Sequence, residues 1–404
     1  MRNVVFAAPF PLETTMRFAR AAAKLDGVRL LGIVQEAPRG ADAHLYADVV
    51  TVDDGLDPGQ LIAAARILER RHGPLHRVLG ILEPLQVQLA QVREALGVAG
   101  PRVATADLFR DKARMKDELR RHGLPCARHK LIRTWADAEA FVAEVGLPLV
   151  LKPTAGMGCK STWRIGSKDE LRAALKALHA GPDHPALAEE FLRGREYSFE
   201  TITIGGQVRF QSCSRYYPTP LEVMETPWIQ WAVVLPRDID GPEFADARAL
   251  GVEAVAALGL ETGVTHMEWF RRDDGSLAIG EIAARPPGAH IVLANGYAHD
   301  ADLYRAWARA VVDEAFDGPW PRKYAVGVAY LRGVGRGRVV SVRGVDKANQ
   351  LVGHLAVESR LPKPGTPRAD SYEGDGYIVV RDPDTEVVKR AVSTLIETIQ
   401  IDYA

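Results

Sequence analysis

Cysteine is scarce in this chain. Of its 404 residues only Cys126, Cys159 and Cys213 carry a thiol, and no two form a Cys-x-x-Cys pair. That excludes a disulfide framework and a zinc ribbon and fits a reducing compartment. An excess of either charge is lacking too. The formal net charge is −1, so no global field draws in nucleic acid or an anionic membrane. No apolar run is long enough to span a bilayer, and "MRNVVFAAPF" has too short an apolar stretch for a secretory signal. A cytoplasmic protein is expected. Two phosphate-binding motifs are also missing. "AAPFPLE" follows the first strand where a dinucleotide fold would place Gly-x-Gly-x-x-Gly. "AGMGCKST" is not a Walker A loop, because Gly158 and Lys160 are not adjacent and "TWRIG" after it reads as strand.

What is present reads as an ordinary globular chain of two or three domains, 47% hydrophobic and 25% charged. "NVVFAA", "RLLGIV" and "RVLGIL" alternate with helical stretches, which predicts a small parallel α/β domain over roughly the first hundred residues. A single helix, "DLFRDKARMKDELRRHG", follows and places Lys112 and Lys116 on one face. Residues 120–192 read as a small α+β lobe. It holds the strand "LPLVLKP", a glycine loop, and "SKDELRAALKAL", which opens with a capping-box pattern. Helices and a hairpin occupy the next part, and the tail after Pro319 reads as β-hairpins with one last helix.

That hairpin, "EWFRRDDGSLAIGE", is the most informative stretch. A two-residue turn at Asp274–Gly275 makes Asp273 face Ser276 and Glu268 face Glu281, with both carboxylates on one side of the sheet. Like charges so placed weaken a hairpin. They can splay into water, share a proton, or hold a divalent cation between them. In the same register His266 faces Ala283, Phe270 faces Ile279, and Arg285 lies two residues beyond Ala283. A metal pair flanked by an arginine suits phosphoryl transfer, where charge neutralisation dominates.

Other segments add weaker signals. Lys152 ends an apolar strand and must find an anion or reach water; the glycine loop just after it either contacts phosphate or is a plain hairpin connection. "EEFLRGREYS" offers Glu189, Glu190 and Glu196 either as a solvated acidic edge or as acceptors for an adenine amine and ribose hydroxyls. Arg215, Tyr216, Tyr217, Trp228 and Trp231 form either a packed surface loop or the wall of a substrate pocket, in which the arginine would bind a carboxylate.

Taken in order, Asp111–Lys112, "LPLVLKP", the glycine loop, "EEFLRGREYS" and "HMEWF…GEIAARPPG" resemble the ATP-grasp superfamily of carboxylate–amine ligases. The resemblance implies an α/β plus α+β architecture in four parts. These are a Rossmann-like domain over 1–105, a lid lobe over 106–192, a core lobe with the metal site over 193–318, and a C-terminal β-rich subdomain over 319–404. It also implies site roles. Lys112 and Lys152 would hold the nucleotide phosphates under the loop from Gly156 through Gly158 to Ser161. Glu189 would accept from the adenine amine, the backbone of Glu190, Phe191 and Leu192 would read the adenine edge, and Glu196 would bind ribose. Glu268 and Glu281 would be ligands of two Mg²⁺ ions, with Mn²⁺ as a substitute. Arg285, with Lys152, would steady the transferred phosphoryl or acyl group. Arg215, Trp228, Trp231, His266 and Gly288 would face the substrates. Ala283 departs from the family pattern, which commonly has asparagine there as a further metal ligand.

The implied reaction is ATP-dependent joining of a small carboxylate to an amine through an acyl phosphate, releasing ADP and phosphate. The motif "EIAARPPGAH" looks closest to ligases of free amino acids. A homodimer, with no nucleic-acid or membrane partner, is the expected assembly. Biotin-dependent carboxylation, or a non-catalytic nucleotide-binding regulator on the same scaffold, are the rival readings.

Overall fold

The computed structural model describes residues 1–156, 161–226 and 229–404. Gly158 and Trp228 therefore lie outside the described residues. The chain opens with a four-stranded parallel sheet made of β1 (Arg2–Ala7), β2 (Val28–Val34), β3 (Asp48–Thr51) and β4 (Leu75–Leu79) in the order β3-β2-β1-β4. Its helices are α1 (Glu13–Ala23), α2 (Pro58–His72) and α3 (Gln86–Leu96). β3 was not expected: "DVVT" is only four residues long, too short for periodicity to show.

The single helix expected over 107–123 is two. α4 (Val103–Arg110) stops at Asp111, whose backbone is extended (φ −86°, ψ 107°). The Asp111 carboxylate accepts from the Ala113 and Arg114 N–H groups at 2.9 and 3.0 Å, starting α5 (Lys112–Arg121) afresh. The cap sets the direction of α5 and so the reach of Lys112 and Lys116.

The lid lobe is an antiparallel sheet of β5 (His129–Ile132), β6 (Leu149–Pro153), β7 (Trp163–Ile165) and β8 (Ala186–Glu190), ordered β5-β8-β6-β7. It packs on α6 (Trp135–Val145) and α7 (Lys168–Ala177) around Phe141, Leu149, Leu151 and Leu171. Ser167 caps α7 by accepting from the Glu170 N–H at 3.2 Å. The Glu170 carboxylate returns to the Gly166 N–H, one residue earlier than a capping box would place it.

The rest is built on one eight-stranded antiparallel sheet. Its strands in chain order are β9 (Gly194–Ile204), β10 (Gln207–Tyr217), β11 (Trp231–Leu235), β12 (Gly263–Arg272), β13 (Leu277–Ala283) and β14 (Ala325–Leu331). β15 (Val339–Arg343) leaves the sheet to pair elsewhere, and β16 (Ala356–Arg360) and β17 (Gly376–Asp382) rejoin it. The sheet order is β13-β12-β9-β10-β11-β14-β17-β16, and β15 pairs with the last strand, β18 (Gln400–Tyr403). The tail over 319–404 thus continues the main sheet through β14, β16 and β17, where a separate subdomain was expected. Helices α8 (Pro220–Glu225), α9 (Ala245–Ala257), α10 (Ile291–His299), α11 (Leu303–Asp313), α12 (Val345–Val352) and α13 (Thr385–Thr398) complete the fold. No helix among the described residues is long and apolar enough to cross a membrane.

Strand alternation gives the sheet two unlike faces near β9 and β12. Tyr197, Phe199, Met267 and Trp269 point to one side, where Tyr197 and Trp269 stack at 4.4 Å in a core shared with α5 and α9. Glu196, Ser198 and Glu200 point to the other. Cross-strand pairing sets Ser198 beside Ser214 and Glu268, and Glu200 beside Ser212 and His266. Six of these seven polar residues are less than a tenth exposed, Glu268 being the exception. A buried polar face on this scale demands partners.

Candidate active site

The two glutamates do face each other: Glu268 pairs with Glu281 and His266 with Ala283. The path to that register differs from the expected one. The turn holds three residues, 273–275, with Arg272 paired to Ser276 and Gly275 at φ +84°. That shifts Phe270 from Ile279 to Ala278. A bulge at Gly280 then takes up one residue and restores the facing of Glu268 and Glu281. The extra turn residue and the bulge cancel. The bulge is anchored, because the Gly280 carbonyl accepts from the buried Lys116 ammonium.

Lysines surround the pair. Lys112 Nζ lies 2.6 Å from Glu281 and 3.3 Å from the Gly156 carbonyl. Lys152 Nζ lies 2.9 Å from Glu189, and Lys116 Nζ lies 3.0 Å from the other oxygen of that carboxylate. Burial favours the protonated acid at Glu281, but Lys112 and Lys152 outweigh it and bring the carboxyl down to about 2. Glu189 is likewise driven up by burial and brought to about 2 by Lys116 and Lys152. Burial pulls the Lys116 ammonium down, whereas at Lys152 the attraction of Glu189 and Glu281 overcomes burial and raises it. The Glu189 carboxylate is thus shared by two lysines.

Glu196 is buried and has no ion pair among the described residues. Burial and the nearby Glu268 hold its carboxyl well above the usual range. Glu190 is pinned by Arg128 and Arg272, each at 3.0 Å, and Phe191 lies under the Arg164 guanidinium at 4.5 Å. Residues 191–193, with Leu192 at the centre, fall between β8 and β9 outside both ladders. Ser161, just before β7, is exposed and in the left-handed region (φ 55°).

Arg285 does not stand free. It reaches Glu83 at 2.8 Å, and Glu83, 4% exposed, also binds Arg110 at 3.0 Å. Glu83 begins a short 3₁₀ turn just after β4 and was not singled out from sequence. Its position at the carboxyl end of a parallel strand, where α/β sheets place ligands, was the available signal. Lys116 was seen only as a neighbour of Lys112; Glu200 was missed. His266 binds Glu200 at 3.0 Å and stands 3.8 Å from Glu268. Burial alone would depress this imidazole, but its hydrogen bond to Glu200 and the nearby Glu268 carboxylate raise it to about 9.

A cavity of about 440 Å³ joins these groups. Lys112, Lys152, Gly156, Glu268 and Glu281 line one part; Arg285, Gly288, Tyr216, Trp231 and Glu373 line another, and His266 lies on its wall. Arg215 is not in it. Alternation turns this residue to the opposite face of the sheet, stacked 4.6 Å over Tyr217 and 5.6 Å over Tyr197, so the expected carboxylate contact is corrected. Trp231 is 1% exposed and donates to the Pro218 carbonyl at 3.1 Å.

Two facing carboxylates fit a magnesium-bound nucleotide. They supply hard oxygen ligands, and the lysines beside them match phosphate oxygens. Among the described residues no three His, Cys, Asp or Glu side chains form a metal cage of their own, so phosphate and water oxygens would complete the shell.

Comparison with known proteins identifies the family. A family model for the ATP-grasp domain matches residues 117–292. A D-alanine–D-alanine ligase of Cupriavidus metallidurans is 31% identical over 305 residues, 68% of this chain and 84% of that protein. The L-arginine-specific L-amino acid ligase of Bacillus subtilis is 27% identical over 272 residues, 66% of this chain. The match spans 64% of that ligase, just under two thirds of its length. In fold, the crystal structure of an L-amino acid ligase from Bacillus licheniformis superposes with a TM-score of 0.82 at 18% identity, covering 100% of this chain and 99% of that one. With a D-alanine–D-alanine ligase 31% identical over 84% of its length, and the ATP-grasp model matching residues 117–292, the chain belongs to the ATP-grasp family.

Proposed function

We propose that this protein is an ADP-forming carboxylate–amine ligase acting on amino-acid substrates in the cytoplasm. The observation that carries the reading is the cavity in which Lys112 and Lys152 stand beside the facing Glu268 and Glu281, continuous with a second region lined by Arg285, Gly288 and Trp231. In the proposed reaction a substrate carboxylate oxygen bonds to the γ-phosphorus as the bond to the ADP oxygen breaks. An amine nitrogen then attacks the carbonyl carbon of the acyl phosphate, and phosphate leaves.

ATP with Mg²⁺ is general to ATP-grasp ligases, and the metal neutralises phosphate charge when bound. Glu268 and Glu281 would hold it, with two ions as the proposed number and Mn²⁺ able to use the same oxygen set. Lys152 would exchange Glu189 for phosphate oxygens, and Lys112 would exchange Glu281. Arg285, already oriented by Glu83, would face the charge that develops on the transferred group. The strand-free backbone of 191–193 would meet the adenine edge, and Glu196 the ribose hydroxyls. The lid lobe would exclude water from the acyl phosphate, which hydrolyses readily.

Phosphate release is the test. It should rise only when an amino-acid carboxylate and an amine are both present with ATP, and bicarbonate with biotin should not replace them. Glu281→Ala should lower kcat by at least about a thousandfold; turnover like that of the wild type in this variant would remove the metal assignment.

A further inference from the structure

The charges lining the cavity are nearly all paired within the protein. Lys112 has Glu281, Lys152 has Glu189, Arg285 has Glu83, and His266 has Glu200 and Glu268. Glu373 is different. It lies on the loop just before β17, lines the cavity, and has no oppositely charged side chain beside it among the described residues. Its one hydrogen bond there comes from the Ala289 N–H, at 3.3 Å, just ahead of α10. The carboxylate also overlooks Gly288, where an added Cβ would stand 4.0 Å from its Oε1.

Aromatic rings share the cavity wall with Glu373. Trp231, Tyr216 and Tyr372 line the same cavity, with Trp231 at 5.5 Å from Tyr216 and in edge contact with Tyr372 at 4.6 Å. Tyr330 stacks behind Trp231 at 4.8 Å. A carboxylate withdrawn from water without a counter-ion is unfavourable, and burial raises its pKa. An apolar occupant would leave that penalty in place and a second carboxylate would add to it. A cation removes it, and aromatic faces attract the same cation through their quadrupoles.

We propose that Glu373 is the group through which the cavity recognises a protonated nitrogen of the substrate, an ammonium or a guanidinium. The assignment rests on the ligase reading for the statement that the occupant is a substrate. Two sources carry that chemistry: the α-ammonium common to amino acids, and the end of a basic side chain.

Calorimetric titration of arginine, lysine, norleucine and hexanoate into the wild type and Glu373→Gln, both with ADP and Mg²⁺, separates the two. If the side chain is the source, the variant binds arginine and lysine about tenfold to a hundredfold more weakly and norleucine as before. If the α-ammonium is the source, all three amino acids weaken alike and hexanoate does not. Glu373→Asp, which keeps the charge, retains most of the affinity. Equal affinities in wild type and a folded Glu373→Gln overturn the proposal. So does equal loss in the Asp and Gln variants, or a wild type that binds none of the amino acids. Phosphate release measured in parallel keeps the two readings apart, because binding that depends on Glu373 without turnover would sink the ligase and leave the recognition site standing.

Discussion

Glu189→Gln tests the electrostatic arrangement of the cleft most directly. Glu189 is 5% exposed and bridges two buried ammoniums, Lys116 at 3.0 Å and Lys152 at 2.9 Å. Its carboxyl is held at about 2 against an ordinary value of 4.5. At about 1.4 kcal/mol per pH unit, that difference corresponds to roughly 3 kcal/mol of folded-state stabilisation. The figure agrees with the roughly 3–5 kcal/mol typical when one partner of a buried ion pair is removed. The amide leaves Lys116 and Lys152 facing each other without an anion between them. Because the folded-state pKa lies below the unfolded one, the stabilisation is complete above pH 4.5 and fades as pH falls towards 2. Urea unfolding of wild type and variant at pH 7.5, 5, 4 and 3 should therefore show a gap of about 3 kcal/mol that narrows through the last two points. A gap under about 1 kcal/mol at pH 7.5, or one that stays constant with pH, would refute the reasoning.

Three further outcomes are expected. Gly280→Val places a Cβ 3.2 Å from the Phe270 ring and 3.3 Å from the Glu268 carbonyl. It should cost about 1–3 kcal/mol and weaken ATP binding by displacing Glu281; thermal unfolding with nucleotide titration would check both. Glu83→Gln leaves Arg110 and Arg285 without their shared anion. It should lower stability by about 3 kcal/mol together with kcat, measured by denaturation and phosphate release. His290 and His299 are both held at about 4 by burial, so stability should fall as pH drops from 6.5 towards 4. His299→Asn should flatten that slope in urea titrations across the range.

The sequence made the site legible where the chemistry lies within one hairpin or one strand end. Glu268 and Glu281 fall in a hairpin, and Lys152 at the end of an apolar strand, where period and turn residues can be read directly. Even so, the facing of the glutamates rests on a longer turn and a bulge that offset each other, and neither was visible: "GSLAIGE" has no residue that forces a bulge, and Gly280 reads equally well as an ordinary strand glycine. Long-range partners were out of reach. Glu83 meets Arg285 across 202 positions, and no local pattern announces it. The helix break at Asp111 was hidden because "FRDKARMK" keeps helical periodicity through the cap. The union of the tail with the main sheet was hidden for another reason: β11 pairs with β14 only after three helices and the hairpin have intervened. Arg215 was read as part of a loop or pocket wall, and its place on β10 turns it away from the cavity.

The Glu83 contact has a consequence for anyone recombining these enzymes. The N-terminal unit supplies the anion that holds two guanidiniums of other segments, Arg110 and Arg285, so it is part of the cavity's charge balance. A chimera that imports a foreign N-terminal unit with a neutral residue at that place would leave both guanidiniums unbalanced however well its backbone docks. Exchange at this seam works only when the acid and its two arginines travel together.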